Sequence, residues 1–235
     1  AQAGPFKRAL FDRVLDYLRR VDFRFGQRPN HYLAMTDETA DRIRRAYDVK
    51  KPIELINPPV NTGKFHVAPQ PGTYFLVDLV IEAFNRLGYP LVVVGKGLQA
   101  EEIKAGAGAN VRFLSGLSAA ELAEVYAGCR AFVFPQHEDY GITPLEANAA
   151  GRPVIAYGAG GVLTTQIPVG DDPAQATALF FDSQTPEALV EAVRRFESLE
   201  PGFDPAFIRA HAEGFDEGRF IEKIRCYVAR RYAEH

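Results

Sequence analysis

Nowhere in this 235-residue chain is there a run approaching the roughly 20 apolar residues that a membrane-spanning helix requires. No leader of basic, apolar and small-residue segments opens it either. The net charge is only −3, which gives no global attraction to nucleic acid. Cysteine is scarce: Cys129 and Cys226 stand far apart and make no disulfide framework. Cys129 falls in an apolar helix-to-strand passage and is expected to be a buried, inert thiol, which fits a reducing, cytosolic compartment. The five histidines, His31, His66, His137, His211 and His235, show no metal-ligand spacing, so no metal site is expected. There is no internal repeat and no low-complexity tract. The chain begins at Ala1 and its one methionine is Met35, so it is expected to be a fragment of a longer protein.

What is present is ordinary for a globular protein: 47% hydrophobic and 24% charged residues, enough for one large domain or one and a half small ones. Apolar positions from Phe6 to Val21 make a helical stripe within Pro5 to Val21. A strand at 31–35, a helix capped by Thr36 or Asp37 and running to about Tyr47, and a strand at 53–56 follow. Asn57-Pro58-Pro59-Val60-Asn61 cannot be regular structure and marks a domain boundary. Beyond it, strands at 73–77, 91–94, 111–114, 131–134, 153–157 and 178–181 alternate with helices at 78–87, 99–105, 119–128, 143–150 and 186–197. Ser118 with Glu121 forms a capping box. The alternation predicts an α/β fold, a Rossmann-like doubly wound parallel sheet, with a remnant of a second α/β domain at 1–60 and a final amphipathic helix at 219–232. The expected divisions are 1–60, 61–209 and 210–235. One junction is anomalous: the strand through Val77 runs into the helix from Asp78 without a turn residue, although such connections commonly take about 2–6 residues. A loop is expected to be missing between Phe75 and Asp78.

The chemistry concentrates in Glu138-Asp139-Tyr140-Gly141-Ile142-Thr143-Pro144-Leu145-Glu146. This run leaves an apolar strand at its carboxyl end, where ligands sit in doubly wound sheets. It then enters a helix whose first amides can face an anion. Gly141 lets the backbone approach a ligand, Glu146 lies about one turn into the helix, and Glu138 precedes the turn. Phosphates plus several hydroxyls describe a nucleotide sugar. Against this stands a solvated Glu138 and a Glu146 that merely favours the helix dipole. Gly95-Lys96-Gly97-Leu98-Gln99-Ala100 fits a dinucleotide fingerprint, but after the second strand of the domain rather than the first; a plain glycine turn admitting a phosphate or sugar is the competing reading. Tyr157-Gly158-Ala159-Gly160-Gly161 is a second amide-lined loop or a plain turn. His137 could position a hydroxyl or simply sit on a surface loop. Seven basic side chains against three acidic ones in residues 1–28 suit either an anionic membrane surface or a solvated helix face.

The stretch Asn110 to Gly161, with Asn-Val-Arg-Phe-Leu at 110–114, Leu117 to Leu122, Phe132-Val133-Phe134-Pro135, the Glu138–Glu146 pair and Glu146 to Ala156, resembles the retaining glycosyltransferases of family 4, which have the GT-B fold. Ile53 to Phe65 resembles that family's interdomain linker, and the similarity extends over about 30–200. The resemblance implies that residues 61–209 bind a nucleotide-sugar donor and that the last helix crosses back toward the first domain. Glu138 would be catalytic, contacting the hexose near the reacting carbon. The donor would be held by Gly95, Gly97, Tyr140, Gly141, Ile142 and Thr143, with Glu146 on the ribose and the backbone near Gly116 and Leu117 at the base. Transfer would retain configuration and use no metal or other cofactor. The wording of residues 139–144 resembles mannosyltransferase-like members, hence GDP-mannose as first donor; the acceptor, whether glycan, lipid or small molecule, is not implied. The implied location is cytoplasmic, at most peripheral to the inner membrane face. Two departures stand out. The family carries an Arg and a Lys in the loop after the first strand of this domain, where the junction at 75–78 is too short, and Thr164 replaces a glutamate after Gly160-Gly161. A non-catalytic nucleotide-sugar-binding protein is therefore the alternative, and a dinucleotide-binding oxidoreductase a more distant one.

Overall fold

The computed structural model describes residues 5–70, 72–77, 81–95 and 104–234. The chain divides into two compact units, Ala1–Ile56 and Asn57–His235. The first holds helix Pro5–Gly26, strand β1 (Tyr32–Ala34), helix Asp37–Tyr47 and strand β2 (Ile53–Leu55). β1 and β2 pair in parallel, Tyr32 opposite Ile53. Thr36 caps the second helix by accepting from the Thr39 amide at 3.2 Å, the choice that the sequence left between Thr36 and Asp37. The first helix runs past Val21 to Gly26, where the backbone presses on the Tyr47 ring.

The second unit is built on six parallel strands: β3 (Tyr74–Val77), β4 (Leu91–Val94), β5 (Val111–Leu114), β6 (Cys129–Phe134), β7 (Val154–Tyr157) and β8 (Ala178–Phe181). Their spatial order is β5-β4-β3-β6-β7-β8. Successive strands walk outward from β3 to β5, then jump back to β6 and walk the other way. The order therefore reverses between β3 and β6, and the helices that follow these strands part there and open a crevice at the carboxyl ends. Alternation along each strand divides the core in two. Phe75, Val77, Val133, Ile155 and Leu179 face Phe84, Leu189, Val193 and Phe196. Leu76, Phe132, Phe134, Val154 and Ala156 face Ala123, Tyr126 and Ala147. Both sheet faces are covered, as continuous apolar strands require. Phe75, Phe84, Phe132, Phe134 and Phe196 are completely enclosed, each contributing about 1.5–3 kcal/mol by burial.

Most expected elements form within two residues of their anticipated ends, and the differences have physical causes. The helix expected from Asp78 begins only at Glu82, with Ile81 at its N-cap and no side-chain cap. Asp78 is a favoured N-cap type, and the apolar residues around it suit strand and helix alike, so local pattern places the start too early. Residues 78–80 lie outside the described residues, as do 96–103, which take in Lys96, Gly97 and most of the helix expected at 99–105. β6 starts at Cys129 because Tyr74 pairs opposite it. Helices Val162–Thr165 and Pro205–Glu213 were not anticipated, although the second carries Asp204 at its N-cap and Pro205 in its first turn. The final helix, Glu217–Ala233, is capped by Asp216, whose carboxylate also accepts from the Thr62 hydroxyl at 2.6 Å.

Candidate functional site

Helix Ile142–Ala149 follows β6 after a seven-residue loop and begins without a side-chain cap. Its N-cap is Gly141 at φ +80, a conformation that glycine adopts without strain. Because Gly141 brings no side-chain oxygen, the first turn presents the N–H groups of Ile142 and Thr143 to whatever occupies the crevice, and Pro144, next in that turn, has no amide to leave unpaired. Thr143 and Glu146 are three residues apart and so share one helix face. That face looks into a cavity of about 250 Å³ lined by Leu76, Val77, Val94, Gly95, Leu122, Tyr126, Phe132, Thr143 and Glu146. The carboxyl ends of β3 and β4 therefore form one side, and two helices form the other. This is the point where the strand order reverses.

Of the residues singled out from the sequence, Gly95, Thr143 and Glu146 meet in this cavity. Gly141 and Ile142 sit at the helix start, Ile142 with its side chain 47% exposed. Tyr140 turns inward: its hydroxyl donates to the Pro58 carbonyl at 2.7 Å, and burial pushes its pKa up. Its side chain thus anchors the loop, leaving only its backbone to meet a ligand. Gly116, at φ +71, and Leu117 lie in the turn after β5. Glu138 is exposed in the loop after β6 and does not line the cavity. Its carbonyl accepts from the Gly161 amide at 2.8 Å, which joins this loop to the one after β7. Gly97 lies outside the described residues.

Tyr126 does not stand out in the sequence, yet its hydroxyl donates to Glu146 Oε2 at 3.0 Å. Tyr126 and Leu122 are four residues apart on helix Ala119–Ala127, a spacing that could have placed both on one lining face. Among the described residues, no group of three or more His, Cys, Asp or Glu side chains is placed to hold a metal ion. None of the described helices is long and apolar enough to cross a membrane.

Residues 75–210 match the family of glycosyl transferases group 1. Similar curated proteins include the D-inositol 3-phosphate glycosyltransferase of Actinosynnema mirum, 33% identical over 118 residues, which are 48% of this chain and 27% of that protein. The protein of the same name from Geodermatophilus obscurus is 32% identical over 144 residues, 55% of this chain and 29% of that one. The matched stretch thus spans under a third of either relative's length. Among solved structures, sucrose-phosphate synthase from Thermosynechococcus elongatus superposes with a TM-score of 0.73 at 18% identity, covering 94% of this chain and 63% of that chain. Anabaena HepE in complex with UDP-glucose superposes with a TM-score of 0.72 at 15% identity, covering 90% and 67%. At such identities the likeness establishes the fold, the Rossmann-like arrangement of GT-B glycosyltransferases. Since the family match takes in more than half of the residues, the chain belongs to the group 1 glycosyltransferases.

Proposed function

We propose that this chain supplies the donor-binding half of a retaining family 4 hexosyltransferase, which takes its sugar from a nucleotide-sugar, GDP-mannose first, and passes it to a separate acceptor. The observation that carries this reading is the cavity at the strand-order reversal, where Glu146 and the uncapped start of helix Ile142–Ala149 line one wall. A helix N-terminus has a partial positive charge and outward amides, which suit the oxygens of a diphosphate. As the bond to the sugar breaks, negative charge grows on those oxygens, and the same fixed dipoles stabilise it without a metal ion. Glu146 accepts hydrogen bonds from the ribose diol, and the turn at Gly116 and Leu117 meets the base. Glu138, in the exposed loop beside this helix start, acts at the transferred hexose.

The solved HepE complex contains UDP-glucose, so UDP-sugars are the competing donors. D-Inositol 3-phosphate, from the names of the curated relatives, is the first acceptor to try. We place the protein on the cytosolic side. Exposed Leu10, Phe11, Val14 and Leu18, beside Arg13, Arg19 and Arg20, support a peripheral contact with an anionic membrane, which co-sedimentation with anionic vesicles would read.

Calorimetric titration with GDP-mannose, UDP-glucose and UDP-N-acetylglucosamine tests the donor site; binding of none of the three overturns it. A second reading, a nucleotide-sugar-binding protein without transferase activity, is favoured by one observation. The link from β3 to helix Glu82–Leu87 is Asp78-Leu79-Val80-Ile81, with no cation to clamp a diphosphate. Sugar transfer by the full-length protein excludes it.

A further inference from the structure

We infer that Tyr126 is a positioning residue for the donor site: its hydroxyl presets the Glu146 carboxylate to receive the ribose diol of the nucleotide. This rests on the donor-site reading above and adds to it the residue that makes the ribose contact selective.

The argument starts with how firmly Tyr126 is held. Helix Ala119–Ala127 is closed at its start by a reciprocal cap, Ser118 accepting from the Glu121 amide and Glu121 accepting from the Ser118 amide at 2.7 Å. Near its other end the Tyr126 ring stands edge-on to Phe65, centroids 5.5 Å apart at 86°, and tilts against Phe132 of β6 at 5.7 Å. The residue is 3% exposed. Aromatic contacts on two sides leave the ring one orientation. The hydroxyl therefore reaches the cavity wall at a fixed point, and the acceptor it meets is Glu146 Oε2 at 3.0 Å.

Glu146 needs such a fixed partner. A glutamate has several rotatable bonds, and an unrestrained one loses that freedom each time a ligand binds. With Tyr126 in place, the carboxylate waits beside Thr143 and Gly95 in the cavity. A hydroxyl donating to a carboxylate is a charge-assisted bond, stronger than a neutral one, and it holds without placing a second charge in the site. A group held in advance discriminates better between a ligand that offers it hydroxyls and one that does not.

The test is a calorimetric comparison of GDP and UDP with their 2′,3′-dideoxy counterparts, on the unaltered chain and on Tyr126→Phe, Glu146→Gln and the double variant. Tyr126→Phe keeps both ring contacts and removes only the hydroxyl. The expected result is a loss of roughly tenfold in affinity for the ribonucleotide, and little or none for the dideoxy form. In the Glu146→Gln background the Tyr126 change should add nothing. Equal weakening of both nucleotides, no weakening of either, or an undiminished effect of Tyr126→Phe on top of Glu146→Gln overturns the positioning role while leaving the donor site standing. An unaltered chain that binds none of the four nucleotides overturns the donor site and this role together.

Discussion

The amide of Gly161 donates to the Glu138 carbonyl at 2.8 Å, and a Cβ on Gly161 would stand 2.3 Å from the Cα of Tyr140. The loop after β7 is thus seated against the loop after β6, backbone on backbone, and the seat sets the path of residues 138–141 into the helix at Ile142.

Gly161→Ala should therefore disturb both loops. The obstructing atoms belong to the main chain and cannot swing aside, so overpacking of about 1–3 kcal/mol is expected, together with weaker nucleotide binding. Gly170, where a Cβ would meet nothing within 4 Å, is the control, and Gly170→Ala should leave both unchanged. Urea unfolding midpoints and nucleotide titration read the difference.

Arg152 lies in the stretch that resembles the family, yet its role is architectural. It is 2% exposed and donates to the Ala127 carbonyl at 2.9 Å and the Gln70 carbonyl at 3.0 Å. Burial lowers its pKa. Arg152→Met keeps much of the volume but leaves those carbonyls without the guanidinium, for a loss of about 2–4 kcal/mol in unfolding free energy. Chemical denaturation measures it; a loss below about 0.5 kcal/mol, the size of an ordinary surface change, would refute the assignment.

Asp216 caps the final helix and accepts from Thr62, so two segments distant in sequence share one carboxylate. The Thr62 hydroxyl, first, and the Gly218 amide hold its pKa below the ordinary aspartate value. A depressed folded-state pKa means stability that is present above the unfolded-state value and lost as pH falls through the folded one. Asp216→Ala should cost about 1 kcal/mol at neutral pH. The gap from the unaltered chain should close as the pH drops below about 4, where the unfolded aspartate takes up its proton. Denaturant titrations at neutral pH and at acid pH check the sign.

Glu138 and Glu146 should separate kinetically. Glu138 is exposed and lies outside the cavity lining, whereas Glu146 lines it. In the full-length protein, Glu138→Gln should lower turnover by about 100-fold or more, the scale of a lost transition-state contact, while nucleotide affinity hardly moves. Glu146→Gln should do the reverse, and steady-state kinetics with product nucleotide as inhibitor distinguishes them. Loss of nucleotide affinity in Glu138→Gln would contradict the division of roles.

Cys129 is completely buried, and desolvation pushes its thiol up to about 12. Cys226 is exposed. Since the thiolate is the reacting form, alkylation of the folded protein should modify Cys226 alone, with Cys129 reacting only in denaturant; mass spectrometry counts the adducts.

Much of this could be read along the chain because it depends on neighbours in sequence. The Ser118–Glu121 cap closes within one turn, Thr36 caps across three residues, and the strands declare themselves as short apolar runs. The Glu138–Glu146 run could be read as the end of a strand and the start of a helix for the same reason. The start of the helix after β3 did not show, because the apolar residues from Tyr74 to Phe84, interrupted only by Asp78 and Glu82, satisfy strand and helix alike. Helix Pro205–Glu213 carries a local start signal in Asp204 and Pro205, but such a pair marks turns as readily as helix starts.

The site itself divides the same way. Local pattern determined that Thr143 and Glu146 share a helix face, since three residues of helix suffice to say so. Only the tertiary structure decided that Leu76 and Val77, Val94 and Gly95, and Tyr126 would join them, and that Glu138 would stay outside. That outcome depends on the strand order and on which way each pair of neighbouring strands is joined. Those are set by pairing between segments tens of residues apart, and by burying both sheet faces at once, a condition that no window of the sequence contains.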